Sequence, residues 1–193
     1  LARARVWVAS GHEPKLFQGL FTNPPYEELE LFLQEDEQTA LTKQVRELAS
    51  LVNDRQDIST LKEIYNLIRA VVKNDRPEGI PIFESTASHI LSQGIATGCT
   101  DYAIAFATLA RAKKIPAVVI DSAKLDWIQG GCNLHYVWGH FFVEVYLDRE
   151  WYLVDSTAGI LYQYYDRHNW YLPSRYVAFT KALSVVDTGS TER

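Results

Sequence analysis

The chain predicts an α+β fold in which helices come first and an antiparallel sheet follows, and three observations point to it. Apolar residues recur near every 3.6 positions between Tyr26 and Lys113, and the period changes to 2 after Pro116. The segment from Cys99 to Lys113 is apolar on nearly all sides, the pattern of a helix buried at the centre of its domain. The strand candidates then follow one another without intervening helices, which indicates antiparallel pairing rather than parallel crossovers. At 193 residues the length argues for one domain. A chain of this size buries roughly 70% of its unfolded surface, so neither a disulfide nor a metal is needed to hold it together.

Residues 1–25 carry Gly11, Pro14, Gly19, Pro24 and Pro25 without sustained periodicity and read as an irregular arm over the core. From about Tyr26 to Val52 the pattern is helical: Leu29, Phe32 and Leu33, then Leu41, Val45, Leu48 and Val52. The acidic group around Glu27–Glu37 reads as a solvated face. A second helix is expected from about Ser59 to Lys73, with capping-box spacing at Thr60 and Glu63. Asn74–Pro81 (NDRPEGIP) is a breaker. It divides an N-terminal arm and helical segment, 1–80, from a core of 81–193, the two packed as one body.

A short helix over Ser85–Ser92, a turn from Gly94 to Gly98, and the apolar helix from Cys99 come next. Arg111, Lys113 and Lys114 near its end read as a solvated helix terminus. Pro116–Asp121, His140–Leu147 and Trp151–Asp155 are strands rich in Val, Phe and Tyr, with a further short one at Tyr176–Thr180. The tyrosines and Trp170 between residues 162 and 171 are expected to pack rather than to bind.

Composition removes several functions. A net charge of −5 with no dense Lys/Arg cluster argues against a nucleic-acid partner. No apolar run approaches the roughly 20 residues of a membrane span. Phosphate loops, zincin helices and serine-hydrolase elbows have no matching motif. Leu1 opens the chain and Met is absent, so a start made by processing or trimming is expected, and no compartment is assigned.

Cys99 carries the chemistry that remains. It follows Gly98 and opens a helix, where oriented N–H groups and the positive dipole end stabilise a thiolate. Taken alone, it reads more readily as a small buried hydrophobe, and the residues that follow shift the balance. A thiol nucleophile needs a base, and the base needs an orienting acceptor. His140 begins one strand and Asp155 ends the next, with Asp148, Arg149 and Glu150 at the turn. A two- or four-residue loop makes the two side chains diagonal neighbours on one face, roughly 7 Å apart at Cβ. A three-residue loop puts them on opposite faces. Glu144 shares the face of His140 and reads as a structural partner for an Arg or a hydroxyl, and Asp101 as a helix-start residue.

The blocks TGCTDYAIAFATLARAKKIPAVVI, GHFFVEV and WYLVDST resemble, in order, the three signature blocks of the transglutaminase-like superfamily, over about residues 85–160. The resemblance implies a papain-like core with a central Cys-bearing helix on an antiparallel sheet. It implies Cys99 as nucleophile, His140 as base and Asp155 as orienting acid, working by acyl transfer through a thioester on a protein or peptide amide. Gln93 stands six residues before the nucleophile, the offset at which papain-like enzymes carry an oxyanion-stabilising Gln. The chain departs from the pattern at Phe142 for Trp, Lys114 for Gly and Val118 for Arg, and these bear on the shape of the substrate channel.

Hydrolysis is favoured over cross-linking, with amine transfer and a non-catalytic binding module as alternatives. No cofactor is expected, and no calcium-loop pattern appears. Cys132, His135, His140 and Asp155 form a partial zinc set, but the glycine-rich context of Cys132 reads more simply as a loop, so no metal is assigned. A Cys99–Cys132 disulfide would silence the nucleophile.

Overall fold

Residues 23–75, 83–130 and 138–188 are described by the computed structural model. The helical stretch expected over 26–52 is divided. A 3₁₀ turn spans Leu29–Leu33, and α1 is Lys43–Ala49. Side chains divide it by competing for backbone groups. Asp36 Oδ1 accepts the Thr39 N–H at 2.8 Å, and Thr42 Oγ1 accepts the Val45 N–H at 3.3 Å as the cap of α1.

Helix α2 is Ile58–Val71, with a reciprocal capping box between Asp57 and Thr60. The expected Thr60–Glu63 box is therefore shifted by one turn, and Glu63 instead accepts the Asn53 N–H at 2.8 Å. Strand β1 (Lys73–Asn74) pairs in parallel with β2 (Ile95–Ala96), and α3 (Ala87–Gln93) lies between them. Gly94 ends α3 at φ +68, where a Cβ would meet Val71 O at 2.9 Å. Helix α4 (Cys99–Ala112) is buried along almost its whole length, as its all-round apolar pattern requires.

The sheet follows: β3 (Ala117–Lys124), then a short α5 (Leu125–Gln129), β4 (Gly139–Leu147), β5 (Glu150–Asp155), β6 (Ile160–Tyr162), β7 (Tyr171–Leu172) and β8 (Tyr176–Ala182). Its order is β6-β5-β4-β3-β8-β7, antiparallel throughout. The fold is α+β. Leu147 pairs with Glu150 across a two-residue loop, with Asp148 and Arg149 both at positive φ as a tight hairpin turn requires.

Alternation sends Phe141, Val143, Val145 and Leu147 into one core with α4, whose surface also receives α1, α2 and α3. The opposite sheet face holds Val118, Ile120, Phe142, Trp151 and Leu153. Tyr26 and Phe32 cover one part of it, and Tyr162, Tyr165 and Trp170 cover the rest, so these three of the aromatic run pack as expected, whereas Tyr164 and Tyr171 project into solvent. No helix among the described residues is long and apolar enough to cross a membrane.

Two charged groups are buried where the sequence suggested solvent. The Arg111 guanidinium donates to Phe32 O, Thr39 Oγ1, Ala117 O and Leu183 O at 2.6–3.1 Å. Desolvation lowers its pKa to about 10. Lys113 Nζ donates to Val52 O at 2.8 Å and pairs with Asp54. A helix end covered by the chain before it becomes a hub rather than a wetted terminus, and of the three only Lys114 is exposed. Glu144 finds the expected hydroxyl partners, with a lysine where an arginine was the other expectation. It pairs with Lys181 Nζ at 2.8 Å, both side chains fully buried, and accepts from the hydroxyls of Tyr26 and Tyr165 at 2.8 Å each. Burial, and then the Glu144 charge, push both phenol pKa values far up.

Candidate active site

Helix α4 delivers Cys99 as its first residue, with a free, partly exposed thiol. Its cap is Gly98, which is extended at φ 165, has no side-chain oxygen to occupy the helix N-terminus, and has nothing within 4 Å of the place of a Cβ. The terminal N–H groups are thereby left for an anion. Asp101 secures the turn from behind: its Oδ2 accepts the Thr97 N–H at 2.7 Å and the Thr97 hydroxyl at 2.9 Å. It is 1% exposed, and burial raises its carboxyl pKa.

Strand β4 delivers His140, and β5 ends on Asp155. The observed loop is the two-residue one, so the two side chains share a face. His140 Nε2 lies 3.0 Å from Asp155 Oδ2, with the side chains 15% and 13% exposed. Asp155 Oδ1 accepts the N–H groups of Thr157 and Ala158 at 3.1 and 2.9 Å, and Asp155 O accepts that of Gly159 at 2.8 Å. One carboxylate therefore closes the turn after β5 and faces the histidine. Burial pushes its pKa up, but the His140 contact and these N–H groups more than offset that, and it ends below the ordinary carboxylate value.

His140 also reaches the Cys99 sulfur, by hydrogen bonding and by charge. Burial by itself would lower the imidazole pKa. Asp155 and Cys99 together outweigh it and raise the value from 6.5 to about 9. Ser122 Oγ donates to His140 O at 2.6 Å and anchors the strand end. An imidazole between a thiol and a carboxylate, at the mouth of a helix N-terminus, can move a proton to and from sulfur while a developing anion meets backbone N–H groups.

Gln93 ends α3 with an exposed side chain. Cys132 and His135 lie outside the described residues, and with them the zinc set and the disulfide. No group of three or more His, Cys, Asp or Glu suited to a metal occurs among the described residues. Tyr176, not singled out in the sequence, and Phe142, noted there only for the shape of the channel, both lie against the His140 ring, at 5.3 and 4.7 Å between centroids. Burial, then the charges at Cys99 and Asp155, raise the Tyr176 phenol pKa. Tyr176 arrives by the β3–β8 pairing, a long-range contact that local periodicity does not encode.

The sequence profile of the Transglutaminase-like superfamily matches residues 43–156, well over half of the chain. In fold, the chain is similar to the crystal structure of a candidate cysteine protease from Cytophaga hutchinsonii, with a TM-score of 0.61 and 17% sequence identity. That match covers 86% of this chain and 52% of the other, so the chain spans about half the length of that protein. No curated protein matches the sequence closely enough to count as a relative.

Proposed function

The chain belongs to the transglutaminase-like superfamily, and from that premise we propose that it is a cysteine-dependent acyl-transfer enzyme that cleaves protein or peptide amides. The observation that carries the reading is His140, in contact with both Cys99 and Asp155 and with a pKa near 9.

With the His140 pKa near 9, the pair rests with the proton already on the imidazole and the negative charge on sulfur, and that sulfur attacks the amide carbonyl. The tetrahedral oxyanion faces the N–H groups at the start of α4, that of Cys99 first, with Gln93 as the second donor in this reading. His140 then protonates the leaving amine, the C–N bond breaks, and a thioester remains on Cys99. Water, deprotonated by His140, attacks the thioester and releases the acid. Asp155 holds the imidazole and stabilises its positive form throughout, without itself taking the proton. Hydrolysis is favoured over amine transfer because Cys99 is partly open to solvent, which admits water to the thioester.

The test is alkylation of Cys99 by iodoacetamide near pH 6.5, with the modified residue located by mass spectrometry. The wild type is expected to react at least about tenfold faster than His140→Ala, because the imidazole stabilises the reactive thiolate. Equal rates would remove the enzyme reading and leave a binding module on the same fold.

A further inference from the structure

We propose that Tyr176 is a positioning residue that holds the His140 imidazole at the orientation from which it reaches both Cys99 and Asp155, an inference that rests on the catalytic reading of these three residues. The His140 ring is confined on two sides. The Phe142 ring meets it edge-on, with centroids 4.7 Å apart and planes at 82°, and the Tyr176 ring lies tilted over it at 5.3 Å and 33°. Phe142 and Tyr176 also pack on each other at 5.5 Å and 74°. An imidazole turns about two side-chain torsions, and rings packed at these distances on two sides narrow the space open to it.

The backbone before Tyr176 is costly and cross-linked. Ser174 and Arg175 are consecutive non-glycine residues at φ 58 and 61, each costing about 1 kcal/mol relative to ordinary backbone. Two contacts from the α5 side hold them. Lys124 Nζ donates to Ser174 O at 2.7 Å, and Arg175 pairs with Asp126 at 2.5 Å. The same Lys124 ammonium lies 4.2 Å from the Tyr176 ring centroid, a cation against the electron-rich ring. Lys124 and Tyr176 are also direct partners in the β3–β8 register. Strand pairing, a cation and a strained loop thus converge on one ring, and that ring touches the general base. Strain maintained in this way accompanies functional sites more often than plain packing.

Tyr176→Ala, Tyr176→Leu and Tyr176→Phe test this against the wild type through two readouts: the alkylation rate of Cys99 and the downfield imidazole N–H proton of His140. Misplacing a reacting group by about 1 Å costs on the order of a hundredfold, so the Ala and Leu variants are expected to slow alkylation by roughly ten- to a hundredfold. They are also expected to lose the N–H signal to solvent exchange. Phe keeps the ring and is expected to restore both. The Leu variant preserves bulk, so its loss separates ring geometry from space filling, and it serves alone if Ala does not fold. Ala and Leu variants that keep both the rate and the N–H signal would overturn the proposal, and so would a Phe variant as slow as Ala. A wild type that alkylates no faster than His140→Ala would instead defeat the catalytic reading, and the N–H signal would still decide whether Tyr176 orders the ring.

Discussion

Replacing Asp155 by Asn keeps the shape of the turn acceptor while removing the charge that faces His140. The structure sets the size of the effect. Raising the imidazole pKa from 6.5 to about 9 corresponds to roughly 3 kcal/mol of preference for the charged ring in the folded state. Because the folded value lies above the unfolded one, this stabilisation is fully present below about pH 6.5 and is lost as pH rises through 9. The Asp155 side of the pair has the opposite sign. Its pKa is lowered on folding, so its contribution is present above the ordinary carboxylate value and fades as acid protonates it.

The wild type should therefore hold a plateau in melting temperature from about pH 5 to 6.5 and then fall. For a chain of this length, 3 kcal/mol corresponds to a drop of roughly 6–12 °C by pH 10. In Asp155→Asn only Cys99 still raises the imidazole, so the His140 midpoint should move down by at least about one pH unit. The alkaline loss of stability should shrink by about half with it. His140 is followed by NMR titration and stability by thermal melts across pH 5–10. A wild-type His140 titrating near 6.5, or a midpoint unmoved by Asp155→Asn, would refute the argument.

Other perturbations read other parts of the fold. Lys181→Met strands the buried Glu144 carboxylate and is expected to cost about 3–5 kcal/mol in denaturant unfolding. Adding Glu144→Leu should recover much of that loss, and additive losses would show the two charges are not a coupled pair. Lys114 sits at φ 60 just past α4, where glycine is free of strain, so Lys114→Gly should raise stability by about 0.5–1 kcal/mol. An unchanged or lower unfolding midpoint would count against that. At Gly159, φ +72, a Cβ would lie 2.5 Å from the Tyr65 ring, so Gly159→Ala should cost about 2 kcal/mol or more and slow Cys99 alkylation by disturbing the Asp155 turn. Tyr65→Ala in the same chain should restore part of the rate, and a Gly159→Ala variant indistinguishable from wild type would show that the turn tolerates the shift.

The α+β class, the buried helix that begins at Cys99 and the strands that carry His140 and Asp155 were legible in the sequence because periodicity is a local property. Burial on all sides, or on alternate sides, leaves a pattern within ten or fifteen residues. The β4–β5 register was legible as a set of alternatives, since parity limits a hairpin but only the backbone selects its loop. Solvation at a distance was not legible. Arg111 and Lys113 look like a wetted helix end until residues 32–54 cover them, and Glu144 acquires its lysine from β8, 37 residues away in sequence. The break at Asp36–Thr42 was missed because short polar side chains overruled an apolar period.

Sequence by itself determined which residue types stand at the helix start and the two strand ends, and so what chemistry could occur there. The tertiary structure alone decided that the three meet, and that an imidazole ordinarily neutral above pH 7 stays charged to about 9 between a thiol and a carboxylate. Residue identity is written along the chain, whereas the surroundings that set a proton's affinity are assembled from strands and helices distant in sequence.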